Sequence, residues 1–132
     1  MNKQIVLDTN FILTCVKQKI QMFEQLEELF GIYDLIVGEQ VLSELSELKN
    51  QLGLKTSEKE AASVALKLLK AKKIKIVDFN SSNVDTGIVF YAMEKPHIII
   101  ATLDRELKNR ILRRNKLAKF LTILKKKRIG MA

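Results

Sequence analysis

Two aspartates follow short apolar runs: Asp8 comes directly after Ile5-Val6-Leu7, and Asp104 closes the stretch Ile98-Ile99-Ile100-Ala101-Thr102-Leu103-Asp104. An acid just past each of two strands is what a cation site at the edge of a parallel sheet requires, because ligands of an open α/β sheet bind outside the carboxyl ends of its strands, where strand order reverses. The two share a site if their strands are neighbours. Two more acids are candidates. Glu44 lies in a helical pattern from Gln40 to Leu52 whose buried stripe is Val41, Leu45, Leu48 and Leu52; at about 100° per residue it falls nearer that stripe than Glu39 or Glu47. Asp85 opens a helix with Val84, Ile88 and Ala92 on its inner face, and Ser82 or Asn83 can cap it. Each acid alone has a plainer role: a cap at Asp8 or Asn10, a dipole-favoured first-turn acid at Asp85, a solvated helix residue at Glu44, an N-cap at Asp104. Gathered together, they would repel and raise one another's pKa unless a cation compensates. Oxygen ligands without His or Cys suit Mg²⁺ or Mn²⁺, ions that keep several waters and bind phosphate.

The elements that must position these acids alternate. Strand-like runs fall at Ile5 to Leu7, Leu35 to Val37, Ile74 to Val77, Ile98 to Thr102 and Phe120 to Leu124. Between them lie helical patterns at Phe11 to Lys17, Gln21 to Phe30, Gln40 to Leu52, Glu58 to Ala71, Val84 to Glu94 and Arg105 to Leu117. Gly31 and Gly53 fit helix C-termini, Ser57 with Glu60 spells a capping box, and Pro96 follows the Val84 helix. Alternation of this kind predicts a parallel sheet. The all-apolar Ile98 to Ala101 run fits its centre, and the alternating Ile74-Lys75-Ile76 fits an edge.

The chain has 132 residues, a single-domain length, with 47% hydrophobic residues, one Pro and five Gly. One Cys (Cys15) and one His (His97) exclude a disulfide framework, a Cys/His zinc site and paired-histidine acid–base catalysis. The apolar runs are too short for a membrane span or a signal peptide, so a cytoplasmic protein without membrane contact is expected. Of the net charge of +8, the excess is all at one end: residues 105–132 hold eleven Lys and Arg against the single acid Glu106, whereas residues 1–104 hold twelve against fourteen. Such a segment suits a phosphate-backbone surface or a solvated lysine-rich face.

The ordered set Asp8-Thr9-Asn10 after the first strand, Ser43-Glu44-Leu45 in a helix, Asp85 early in a later helix and Thr102-Leu103-Asp104 after the fourth strand resembles the PIN-domain ribonucleases across essentially the whole chain. The resemblance implies a three-layer α/β/α fold with a five-stranded parallel sheet in the order 3-2-1-4-5, which would bring Asp8 and Asp104 side by side. It further implies that Asp8, Glu44, Asp85 and Asp104 are the catalytic, metal-holding acids, for Mg²⁺ or Mn²⁺, and that Asn10 and Thr102 position ligands or solvent. Ala101 to Arg110, with its basic helix, is similar to the PIN nuclease of the small-subunit processome and its archaeal relatives. VapC-type toxins share the acids in a similarly compact chain. Thr86 stands where the processome branch tends to carry a second acid, and the zinc-binding elements of some larger relatives are missing. Small PIN proteins form homodimers, for which the apolar residues of Phe11 to Phe30 offer a face. A toxin would pair with an antitoxin, a processing nuclease with a preribosomal particle.

The expected activity is metal-dependent endonucleolytic hydrolysis of RNA, with Arg105, Lys108, Arg110, Arg113 and Arg114 as backbone contacts and Lys125 to Arg128 extending the track. The alternative is a non-catalytic PIN-like module that binds RNA or protein, although such a module has no need to gather negative charge opposite phosphate. A phosphoacceptor receiver domain fits poorly, since Val77-Asp78-Phe79 offers only one weak acceptor candidate.

Overall fold

The computed structural model describes residues 2–132. In chain order the elements are β1 (Lys3–Leu7), α1 (Thr9–Lys17), α2 (Met22–Phe30), β2 (Tyr33–Gly38), α3 (Glu39–Asn50), α4 (Thr56–Lys70), β3 (Lys75–Val77), α5 (Val84–Ala92), β4 (Ile98–Ala101), α6 (Arg105–Arg114), β5 (Lys119–Leu124) and β6 (Arg128–Met131). One sheet runs β3-β2-β1-β4-β5-β6. Its first five strands are parallel, in the expected order, and β4 pairs directly with β1, Leu7 opposite Ala101. Right-handed crossovers then put α1 to α4 on one face and α5 and α6 on the other, in keeping with the contacts of α3 and α1 with α4 and of α5 with α6.

The core explains why β1 and β4 are central. Ile5, Val6 and Leu7, and Ile98 through Ala101, are at most 2% exposed, as strands covered on both faces must be. β3 is the edge, with Ile76 exposed.

Three expectations need correction. The sheet has a sixth strand, β6, antiparallel to β5. It escaped notice because Arg128-Ile129-Gly130-Met131 is short, and the turn before it holds Lys126 and Lys127 at positive φ, 59° and 58°, where Gly or Asn is the usual signal. The Ser57–Glu60 box does not form, since α4 begins at Thr56 with Lys55 at the N-cap and no side-chain cap. α3 stops at Asn50, leaving Leu52 exposed in the turn and outside the buried stripe. Within Phe11 to Phe30, the residues Phe11, Ile12, Cys15, Met22, Phe23 and Leu26 are buried in the chain's own core, while Leu13, Val16 and Phe30 are partly buried and Leu29 is exposed. No helix among the described residues is long and apolar enough to cross a membrane.

The segment between β3 and α5 is held by Phe79, 4% exposed and 5.6 Å from Tyr91 between ring centroids. Two glycines make room for it: a Cβ at Gly38 would lie 2.2 Å from the nearest ring atom of Phe79, and a Cβ at Gly87 would lie 2.5 Å from the Phe79 Cβ. The second contact is with an atom fixed to the backbone, so it cannot be relieved by a rotamer change. Gly87→Ala is therefore expected to lower the urea midpoint, a net loss of about 1 kcal/mol, because overpacking outweighs the helix propensity that alanine gains. An unchanged or raised midpoint would show that the segment carrying Phe79 yields.

Candidate active site

The carboxyl edge of the sheet is built around Asp8. As β1 ends, the Asp8 amide donates to the Ala101 carbonyl at 3.0 Å, carrying the β1–β4 ladder one residue further. The side chain, 3% exposed, turns back to cap α1: Oδ1 accepts from the Thr9 N–H at 2.9 Å, and Oδ2 accepts from the Thr102 hydroxyl at 2.7 Å. Thr102 Oγ1 in turn accepts from the Asp104 N–H at 3.1 Å. Asp104 caps α6, with Oδ1 taking the N–H groups of Glu106 and Leu107 at 2.9 and 3.1 Å. Asn10 Oδ1 accepts from the Leu103 N–H at 3.3 Å, tying α1 to the segment between β4 and α6. Asp8, Asn10, Thr102 and Asp104 are thus one hydrogen-bonded unit.

Asp85 arrives from the opposite face. It lies in the first turn of α5, which Asn83 caps by accepting the Thr86 N–H at 3.0 Å. The approach to that helix is clamped by Gln40 at the start of α3, whose Oε1 accepts from the Phe79 N–H at 3.2 Å and whose Nε2 donates to Asp78 Oδ1 at 2.8 Å. The same Asp78 carboxylate accepts from the Asn80 N–H, and these contacts hold its pKa below the usual value. At the far end, the buried Asn115 amide donates to the Ala92 and Lys95 carbonyls at 2.9 and 2.8 Å, fixing the end of α6 on that of α5. Between them, Arg110 Nη2 donates to Thr86 Oγ1 at 3.2 Å. Glu44, on α3, is exposed.

The acids sense one another. Burial pushes the Asp8 carboxyl up to about 6; Asp85 and Glu44 push the same way, while the hydrogen bonds from Thr102 and Thr9 oppose them. The Asp85 carboxyl is also raised, by burial first, then by Asp104, with Glu106 adding and Arg110 opposing. All four sequence-predicted acids therefore belong to one electrostatic cluster. They are not drawn into a tight group: among the described residues, no three His, Cys, Asp or Glu side chains converge closely enough to clasp an ion. The reason is visible in the caps, since Asp8 and Asp104 point oxygens at backbone N–H groups and Glu44 extends into solvent.

The donor set fits a hard divalent cation. It is all oxygen, and its charges disfavour one another in the way a cation would relieve. Carboxylate oxygens that accept one hydrogen bond keep further lone pairs. The Thr9 hydroxyl beside Asp8 is buried with no hydrogen-bond partner, a further polar group that backbone and side chains leave unspent.

Of the basic residues, Arg105, Arg113 and Arg114 are exposed, whereas Lys108 and Arg110 are half-buried on α6. Lys108 sits over the Phe120 ring at 5.5 Å. A cleft of about 310 Å³ opens there, lined by Thr102, Leu103, Asp104, Arg105, Lys108, Phe120 and Thr122. A second hollow, about 390 Å³, lies at the amino edge of the sheet around Lys3, Pro96 and His97; it is remote from the acids, and the chemistry described above is confined to the carboxyl edge. Sequence reasoning missed Gln40 and Asn115 as positioning groups and the Arg110–Thr86 pair. No spacing rule links residues on different elements, so only the fold, which sets Gln40 of α3 beside residues 78 and 79 and packs α6 against α5, brings these partners out.

Comparison with known proteins is consistent with this geometry. A family model described as a PIN like domain matches residues 5–121. The chain is similar to Ribonuclease VapC4 of Methanocaldococcus jannaschii, 34% identical over 113 residues that cover 85% of each protein. Its structure resembles that of the PIN domain endonuclease Utp24, with a TM-score of 0.74 and 25% identity over 97% of this chain and 90% of the other.

The state of Asp8 has a measurable consequence. With a carboxyl at about 6 in the fold against 3.8 when free, the native state binds the proton more tightly than the unfolded chain. Stability falls as pH rises between those values, and the full cost, at most about 3 kcal/mol, is present above them. Asp8→Asn, which keeps the shape and the Thr9 cap but reverses the Thr102 hydrogen bond, is expected to raise the unfolding free energy from urea titration at pH 7.5 by about 1–2 kcal/mol, with the gain shrinking as pH falls from about 6 towards 4. A gain independent of pH would contradict the burial of a charged Asp8.

Proposed function

The chain belongs to the PIN-like domain family, and on that premise we propose that it is a divalent-metal-dependent endoribonuclease acting at the carboxyl edge of its sheet. The observation that carries this reading is a buried Asp8 whose pKa is pushed up in part by two other acids, Asp85 and Glu44, in a chain similar to a ribonuclease. A structural cap alone gives no reason to set Asp85 and Glu44 near enough to disfavour the charge of a buried Asp8. Asp8, Glu44, Asp85 and Asp104 would hold Mg²⁺ or Mn²⁺; Glu44 is exposed and Asp85 half-exposed, so both can swing inward while the capped pair stays fixed. The metal, when bound, supplies Lewis-acid polarisation of the phosphate and a lowered pKa of its water.

The protein groups do the positioning. Thr102 keeps Asp8 and Asp104 in register through one hydroxyl, and Asn10 pins the segment between them. Arg105 and Lys108 border the cleft beside Asp104, where they, with Arg113 and Arg114, would contact RNA phosphates, adding affinity and salt sensitivity with little sequence choice. The same cleft would serve either a ribosomal RNA-processing nuclease or a toxin restrained by an antitoxin. These readings differ in substrate and partner, including whether the chain works as a homodimer.

Cleavage of an end-labelled RNA pool containing pre-rRNA fragments tests the proposal. Wild type is expected to cut in Mn²⁺ or Mg²⁺ and not in EDTA, and Asp8→Asn or Asp104→Asn to lose at least about 100-fold in rate while retaining RNA. Salt-sensitive binding without cutting in any metal would instead favour the non-catalytic module. For affinity, Lys108→Ala is expected to reduce the slope of log K against log salt by about 0.7, the value of one single-strand phosphate contact.

A further inference from the structure

Arg110 differs from every other cation on α6. Arg105, Arg113 and Arg114 are exposed, and Lys108 leans over Phe120 on the far flank. Arg110 faces α5, where its Nη2 reaches Thr86 Oγ1 at 3.2 Å, next along the chain from Asp85. Asp85 and Thr86 share the first turn of α5. Yet the ion pairs among the described residues are Lys17–Glu58, Lys75–Asp34 and Arg128–Glu28, and none includes Arg110. A guanidinium kept only for structure beside carboxylates would be expected to take one as a bidentate partner, the geometry that its fork favours. Here the group is oriented by a neutral hydroxyl, and four of its five N–H donors have no hydrogen-bond partner among the described residues.

Four acids repel a phosphodiester, and a cation held beside one of them without an ion pair has an evident use. We propose that Arg110 is a catalytic residue: its guanidinium, aligned by Thr86, donates hydrogen bonds to a non-bridging oxygen of the scissile phosphate. The role rests on the nuclease reading above. As the water oxygen bonds to phosphorus and the bond to a ribose oxygen breaks, charge grows on the non-bridging and departing oxygens. One water proton ends on the departing ribose oxygen and the other passes to solvent, leaving a phosphomonoester. Arg110 transfers no proton; it stabilises charge where that charge develops.

Steady-state cleavage of RNA in Mn²⁺ by wild type, Arg110→Ala, Arg110→Lys, Thr86→Val and the remote control Lys70→Ala tests this, with thermal melts to show that each variant folds. RNA affinity is measured in EDTA, where no cutting occurs. Arg110→Ala is expected to lower kcat by about 100-fold or more, the loss typical of one transition-state donor, with a much smaller change in affinity. Arg110→Lys is expected to restore part of the rate, added guanidinium to rescue Arg110→Ala alone, Thr86→Val to lose less than Arg110→Ala, and Lys70→Ala to match wild type. A folded Arg110→Ala whose kcat stays within about threefold of wild type while its affinity falls would make Arg110 one more backbone cation and overturn the proposal. A wild type that cuts in no metal would overturn the nuclease reading and this role with it, a result distinct from an active wild type beside an active variant.

Discussion

The hydrogen bond from the Thr102 hydroxyl to Asp8, 2.7 Å long and buried, is the contact on which the carboxyl edge depends. It exists because β4 lies beside β1, and that adjacency requires the chain to reverse direction after β3 and carry α5 across the other face of the sheet. The same oxygen accepts from the Asp104 amide, so one hydroxyl sets the position of two aspartates ninety-odd residues apart in sequence. Without it, Asp8 would lose a bond that offsets the cost of its burial, and Asp104 would lose the tether that starts α6 in the right place.

Capping and metal binding are usually offered as competing explanations for an acid at a helix start. Here the one does not preclude the other. A cap fixes one carboxylate oxygen against the backbone and so fixes the direction of the other lone pairs. The expense is the raised pKa of Asp8, an unfavourable charge tolerated because β1 and β4 around it are almost wholly excluded from solvent. Each fully buried Val, Leu or Ile side chain there contributes roughly 1.5–3 kcal/mol, enough for the central strands to hold a strained electrostatic arrangement at their ends.

Much of this was legible in residue order. The apolar quartet Ile98 to Ala101 marked the central strand, the alternation around Lys75 marked an edge, and Asp8 and Asp104 stood where a switch point would need them. The site's flanks were less readable. Glu44 could be ranked by helical angle, but its exposure depends on where α3 ends, and Leu52 misled the stripe because a turn had already begun. β6 lacked both length and a glycine turn signal. The contacts of Gln40 with residues 78 and 79, and of Arg110 with Thr86, join side chains on separate elements, and no one-dimensional period encodes such pairs.

The seam between α2 and β6 has a consequence for how the molecule comes into being. Gln25 uses both ends of its amide there, accepting from the Ile129 N–H at 2.7 Å and donating to the Lys127 carbonyl at 3.0 Å, across more than a hundred residues of chain. Contacts of such long sequence separation form late, because the loop entropy must be lost before they return anything. During synthesis, α2 has to wait for residue 129 to emerge before this seam can close. Until residues 128–131 dock, the basic hairpin and the edge of β5 stay unsecured, so closure of this seam belongs among the last steps of folding.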